Sequence, residues 1–94
     1  MSSFQLDPDK AMINRRKHHL NLALGAEIFD RPFIEEEDDR ADYGESRFLA
    51  IGPVASLGDR ICAVVYTWRG NERRLISFRK ANVKETGKYR VSYG

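Results

Sequence analysis

Basic side chains are interleaved with aromatic ones in the last third of the chain. Residues 60–90 contain nine bases and two acids, and Tyr66, Trp68, Phe78 and Tyr89 lie among them. Cations neutralise phosphates and aromatic rings stack on bases, so this composition favours a polyanion, above all a single-stranded nucleic acid. The alternative is a solvated basic sheet edge whose charges prevent aggregation.

Three arginines are the candidates for binding a phosphate. A guanidinium offers paired donors to two phosphate oxygens, so we expect Arg69 and Arg79 to clamp a phosphate, with Arg47 as the third candidate. Thr67 and Ser77 each lie two residues from one of these arginines and could donate to phosphate or sugar oxygens. Neither hydroxyl has a base beside it in sequence, so ordinary strand residues are the alternative interpretation.

His18 is the candidate proton acceptor, because an unperturbed imidazole has a pKa of about 6.5. It lies four residues after Asn14 and beside Lys17, so on a helix all three side chains lie near one face. The alternative is a helix-end histidine that hydrogen-bonds to the backbone or to Asn14.

A β-hairpin over residues 60–81 positions the arginines. The run from Ile61 to Tyr66 is apolar at odd and even positions, which predicts a central strand covered on both faces. The break at Gly70-Asn71 allows a two-residue loop, or a three-residue loop ending at Glu72. We favour the longer loop, since the shorter one turns Arg69 towards the core.

The remaining elements follow from local signals. A short strand at 4–6 precedes a helix with Asp7 as N-cap, Pro8 in its first turn, and Met12, Ile13 and Leu20 as apolar anchors. A second helix runs from an Asn21 cap through Phe29, the acids at 35–39 form a solvated edge or loop, and a strand follows at 47–52. A capping box at 82–85 opens a last helix that Gly87 keeps short. The predicted order is β-α-α-β-β-β-α, an α+β domain with an antiparallel sheet and helices on one face.

Composition predicts one soluble globular domain spanning residues 1–94. The chain is 41% apolar and 32% charged, with a formal net charge of +2. No apolar run approaches the ~20 residues of a membrane span, and the first residues show no export signal, so we expect a cytoplasmic protein without membrane contact. Cys62 is the only cysteine and is expected to be a small core hydrophobe.

The order and spacing of these residues resemble those of the BrnT-type toxins, small ribonucleases of bacterial type II toxin–antitoxin pairs. The matching positions are Phe4, Asp7, Lys10, Asn14, Lys17-His18, Ile28-Phe29, Pro32, Glu45, Arg47, Ile51-Gly52, Val64 to Thr67, Arg69, Arg74, Ile76-Ser77, Arg79, Ala81, Glu85 and Tyr89. The chain departs at Leu6, where the family has Trp, at His19, where it has Gly, and at Leu22, where it has Phe.

The resemblance implies a RelE-like fold, with two N-terminal helices on one face of the sheet and a short C-terminal helix. It implies a metal-independent endoribonuclease that inhibits translation, without cofactors, in which the 2′-hydroxyl attacks its own phosphate. Lys17, Thr67, Ser77, Lys80 and Tyr89 would contact RNA, beside the catalytic candidates Arg47, Arg69, Arg79 and His18. Lys17, Glu85 and Tyr89 stay open as alternative bases.

The resemblance also implies a partner, a BrnA-like ribbon-helix-helix antitoxin that forms a hetero-oligomer with the toxin and alone contacts operator DNA. Two other classes stay open. One is an RNA-binding module that uses the same basic face without cutting. The other is a protein-interaction domain whose RNA binding would be weak and insensitive to salt.

Overall fold

A five-stranded mixed sheet lies at the centre of the computed structural model, which describes residues 4–39 and 44–94. The strands are β1 (Phe4–Leu6), β2 (Ile34–Asp38), β3 (Arg47–Val54), β4 (Arg60–Arg69) and β5 (Glu72–Lys80), in the spatial order β1-β5-β4-β3-β2. The helices are α1 (Pro8–His18), a 3₁₀ helix (Leu22–Asp30) and α2 (Val83–Tyr93), with a 3₁₀ turn at Ala55–Leu57. The α+β class is confirmed. The expected all-antiparallel sheet is wrong, because β1 pairs with β5 in parallel.

Strand β4 is central and buried from Ile61 to Thr67, as its apolar run predicts. Its even-numbered side chains join β3, β5 and the 3₁₀ helix in the larger core, made of Leu22, Ile28, Ala50, Val54, Cys62, Val64, Tyr66, Leu75 and Phe78. Its odd-numbered side chains Ile61 and Ala63 lie on the other face, in a smaller core with Ile51 that packs against Tyr89 of α2. The expectation of helices on one face is therefore wrong, since the 3₁₀ helix and α2 cover opposite faces.

The hairpin turn is the shorter of the two alternatives. Arg69 pairs with Glu72 across Gly70-Asn71, and Gly70 has a φ of 62°, which a two-residue loop requires. The expected three-residue loop is wrong.

A β-bulge at Ile76 corrects the register that this turn sets. Val65 lies opposite Ser77 and Tyr66 opposite Leu75, so one extra residue of β5 is accommodated between them. The bulge keeps Leu75 and Phe78 in the same core. It also leaves the following residues on the face of the smaller core, as the longer loop was expected to do: Thr67, Arg69, Ser77 and Arg79.

The acidic run forms the edge strand β2. It pairs antiparallel with β3, from Ile34 opposite Ile51 to Asp38 opposite Arg47. A strand was missed here because five consecutive acids lack the alternation of apolar and polar residues. The charges suit an exposed edge, since they discourage pairing with another chain.

Helix α1 has the predicted cap and end. Asp7 accepts from the Asp9 N–H at 2.8 Å, and His19 ends the helix at a φ of 58°, in the left-handed conformation that glycine adopts more readily. The expected anchors Met12 and Ile13 are wrong, since they are 54% and 55% exposed. The helix instead lies along β5 and buries Asn14.

Helix α2 has eleven residues and continues through Gly87, so it is longer than the sequence predicts. The predicted capping box of Asn82 and Glu85 is present. In the described part of the chain, no helix is long and apolar enough to cross a membrane.

Two glycine substitutions test the packing with opposite expected signs. A Cβ on Gly25 would lie 2.8 Å from Cγ2 of Val64, so Gly25→Ala should destabilise the chain by about 1–3 kcal/mol. A Cβ on Gly87 meets nothing within 4 Å, so Gly87→Ala should stabilise it by roughly 0.5–1 kcal/mol. Urea unfolding measures both. A Gly25→Ala protein as stable as the parent would contradict the close approach of the 3₁₀ helix to β4.

Candidate functional site

A cleft of about 250 Å³ opens between α1 and strands β4 and β5. We name it the basic cleft. Its lining consists of Lys10, Ile13, Asn14, Lys17, His18, Val65, Ile76, Ser77 and Arg79. Three of these described residues are cations, one is a histidine and none is an acid. The cleft therefore has the charge and size to receive a phosphate with part of a nucleotide.

Asn14 holds α1 in place beside the cleft. Strand β1 pairs with β5 only at residues 73–75, so the edge of β5 continues beyond it. There the Asn14 side chain accepts from the Phe78 N–H at 2.6 Å and donates to the Leu20 carbonyl at 3.0 Å. Lys10 and Lys17 lie one turn before and after Asn14, so the same anchor directs both towards the cleft.

Arg79 lies at one side of the cleft and forms a paired interaction with Glu85. Its Nη1 and Nη2 donate to the two carboxylate oxygens at 2.7 and 2.8 Å. These hydrogen bonds are the largest cause of a lowered pKa of Glu85, and the charge of Arg79 adds to them. Glu85 is consequently ionised at neutral pH.

His18 has a lowered pKa in this setting. Burial is the largest cause, followed by the positive charges of Lys17 and Arg79. A lowered pKa keeps the imidazole neutral near pH 7 and able to accept a proton.

A second cleft, of about 190 Å³, lies on the other side of Arg79. We name it the acidic cleft. Its lining consists of Glu36, Glu37, Asp38, Asp39, Leu49, Arg79 and Glu85. Among the residues that the structure describes, no group of three His, Cys, Asp or Glu side chains is arranged to hold a metal ion. Arg79 thus separates a cationic cleft from an anionic one.

Four of the nine predicted site residues lie together and five do not. Lys17, His18, Ser77 and Arg79 all line the basic cleft. The β4 residue opposite Arg79 is Ala63, and Arg69 lies six residues further along that strand. At roughly 3.3 Å per residue, the Cα atoms of Arg69 and Arg79 are therefore about 20 Å apart. Arg69 and Arg47 instead contact Glu45, at 3.3 and 3.4 Å. The structure does not bring Arg69 and Arg79 to one phosphate.

Three further predicted contacts lie outside the basic cleft. The Thr67 side chain is buried and its hydroxyl donates to the Ser46 carbonyl at 2.7 Å. Lys80 lies opposite Cys62 in the register of β4 and β5, so its side chain is on the opposite face of the sheet from that of Arg79. The Tyr89 hydroxyl donates to the Pro32 carbonyl at 3.0 Å.

Two residues contribute to the site in ways that were not expected from the sequence. Lys10 lines the cleft, and its spacing of four and seven residues from Asn14 and Lys17 on a helix is the signal that could have found it. Glu85 was expected in the capping box and as an alternative base, whereas its carboxylate also pairs with Arg79. No local pattern indicates that contact, because a strand end and a helix start separate the two residues.

The chain is similar to a known protein family and to a solved structure. Residues 6–85 match the model of a family described as the ribonuclease toxin BrnT of type II toxin–antitoxin systems. A search of curated protein sequences gave no match. Among solved structures, the chain is similar to the Brucella abortus ribonuclease toxin BrnT, with 27% identity and a TM-score of 0.62. The similarity covers 87% of this chain and 99% of that one.

The lowered pKa of His18 gives a test of the site's electrostatics. Arg79→Gln removes a positive charge near the imidazole, so the pKa of His18 should rise, as followed by NMR titration of the ring protons. Arg60→Gln, with the same charge change at an exposed position, is the control. The pKa of His18 in the folded chain lies below its unfolded value of about 6.5, so protonation favours the unfolded chain. The contribution of His18 to the free energy of unfolding therefore decreases as the pH falls through 6.5. An unchanged pKa in Arg79→Gln would contradict the proximity of the two groups.

Proposed function

The chain belongs to the BrnT family of ribonuclease toxins of type II toxin–antitoxin systems, and on that premise we propose that it cleaves RNA in the basic cleft without a metal ion. One observation carries the proposal. The cleft combines a histidine of lowered pKa, a serine hydroxyl and an arginine paired with a carboxylate, with no acid among its described lining residues.

The proposed reaction is an attack of the 2′-hydroxyl on the adjacent phosphate. His18 accepts the 2′-hydroxyl proton, and the oxygen forms a bond to phosphorus. Arg79 stabilises the negative charge that develops on the phosphorane oxygens. The bond from phosphorus to the 5′-oxygen then breaks, and Lys17 donates a proton to that oxygen. The products are a 2′,3′-cyclic phosphate and a 5′-hydroxyl.

Ser77 has a binding role in this scheme. It lies opposite Val65 on β5, two residues before Arg79, and lines the basic cleft. Its hydroxyl donates to a phosphate oxygen or accepts from the sugar. Lys10 adds a second cation on the α1 side and holds the neighbouring phosphate.

The family membership implies an antitoxin partner. We propose that this partner is a BrnA-like ribbon-helix-helix protein that neutralises the toxin in a hetero-oligomer and carries the contacts to operator DNA. We also propose that the fold is a variant of the RelE-like fold, and that RNA cleavage inhibits translation in the cytoplasm.

The first test measures cleavage of total RNA by the purified protein in EDTA. We expect cleavage with cyclic phosphate ends. Arg79→Ala should cut on the order of a hundredfold more slowly, because a charge-stabilising donor is lost. His18→Gln should lose about 10²–10⁴-fold, since the proton acceptor is removed.

Arg60→Ala is the matched control, because it removes one exposed arginine at the start of β4 and should leave the rate unchanged. Intact RNA that the parent binds in a salt-sensitive way would favour a non-catalytic RNA-binding module instead. Cleavage that needs an added divalent ion would overturn the metal-independent mechanism.

A further inference from the structure

The first turn of α2 is tied directly to the basic cleft through Glu85. This residue is the third of α2 and completes its capping box: the Asn82 side chain accepts from the Glu85 N–H at 2.8 Å, and Glu85 Oε1 accepts from the Asn82 N–H at 3.0 Å. The carboxylate is thus fixed at the helix start before any contact with Arg79 is considered. The whole residue is only 9% exposed.

The same carboxylate holds both terminal nitrogens of Arg79. Two parallel N–H···O bonds fix the plane of a guanidinium as well as its position, which a single bond does not. A guanidinium has five N–H donors, so one carboxylate cannot take all of them. Nη1 also donates to the Lys80 carbonyl, at the longer distance of 3.4 Å. The two shorter bonds to Glu85 set the direction in which Arg79 faces the basic cleft.

We propose that Glu85 is a positioning residue for RNA cleavage, which holds the Arg79 guanidinium in its working orientation and does not itself contact the RNA. This inference rests on the proposed function of the basic cleft.

The position of Glu85 argues against a direct role in proton transfer. It lines the acidic cleft, whereas His18 and Lys17 line the basic cleft on the other side of Arg79. Its carboxylate oxygens are already occupied by Arg79 and by the Asn82 N–H. The lowered pKa that follows from these bonds makes it a poor proton acceptor near neutral pH.

The charge of Glu85 allows a positioning role to be distinguished from a purely structural one. Glu85 carries a negative charge close to where the phosphate would bind, so it opposes binding of RNA even as it orients Arg79. Removing the charge should therefore hold or tighten the affinity for RNA while it slows the chemical step. A purely structural role would weaken both together.

The experiment compares Glu85→Gln with the parent in two assays. One is the Kd for a 2′-deoxy oligonucleotide that cannot be cut, and the other is the single-turnover cleavage rate of the matching RNA. We expect a rate about tenfold or more lower, since small misplacements of a catalytic group are costly, and a Kd that is unchanged or tighter. Glu85→Asp, which keeps the charge on a shorter side chain, should recover part of the rate.

Asn82→Ala is the control for helix capping, because it removes half of the capping box and leaves the backbone N–H that binds Glu85. It should lower the melting temperature but keep the cleavage rate within about twofold of the parent, since the cap contributes to stability alone. A rate loss in Asn82→Ala equal to that in Glu85→Gln would overturn the proposal. So would a faster rate in Glu85→Gln, which would identify Glu85 as an inhibitory contact.

A third readout does not depend on activity. NMR exchange of the Arg79 Nη–H protons with solvent should be slow in the parent and faster in Glu85→Gln, because the Glu85 carboxylate accepts from both terminal nitrogens. Equal exchange in both proteins would overturn the positioning role. If the parent does not cut RNA but the exchange difference is seen, the proposed function fails while the contact that fixes Arg79 stands.

Discussion

The buried side chain of Asn14 joins three parts of the chain that would otherwise meet only loosely. It accepts the Phe78 N–H on the edge of β5 and donates to the Leu20 carbonyl after α1. Without it, a backbone donor at the sheet edge would lose its partner, at a cost of about 1–3 kcal/mol. The apolar contacts of α1 are few, since Ala11 is partly buried against the larger core while Met12 and Ile13 are exposed. The polar contact of Asn14 therefore helps to hold the helix against β5. The contact thus helps to hold together two walls of the basic cleft, α1 and β5.

The fold places positive and negative side chains in separate clefts, and the net charge of +2 does not reveal this separation. Several C-terminal bases have structural partners: Arg73 lies 4.0 Å from the centre of the Phe29 ring and 4.7 Å from that of Trp68, and Arg74 pairs with Asp7 at 2.9 Å. The cations of the basic cleft are Lys10 and Lys17 of α1, together with Arg79, which is itself paired with Glu85. The α1 side of Arg79 is therefore cationic, and the acidic cleft on its other side is anionic.

Local signals in the sequence predicted the elements whose formation is local. The two-sided burial of β4, the Asp7 cap and the capping box before α2 are all visible in short windows of sequence. The bulge at Ile76 is not, because it depends on pairing with β4, and β2 forms although its acids lack a strand pattern because β3 offers it a partner. In the site, residue chemistry pointed to His18 and Arg79, but it could not separate Arg79 from the other arginines by distance. That separation is a property of the register.

The account rests on the location of RNA in the basic cleft, and the most direct measurement is an NMR titration of the protein with a 2′-deoxy oligonucleotide. We expect the largest changes in backbone chemical shift at Lys17, His18, Ser77 and Arg79, with a midpoint that weakens as salt is added. Changes concentrated at the hairpin end, around Arg69 and Arg47, would contradict the assignment and move the site to the other end of the same face.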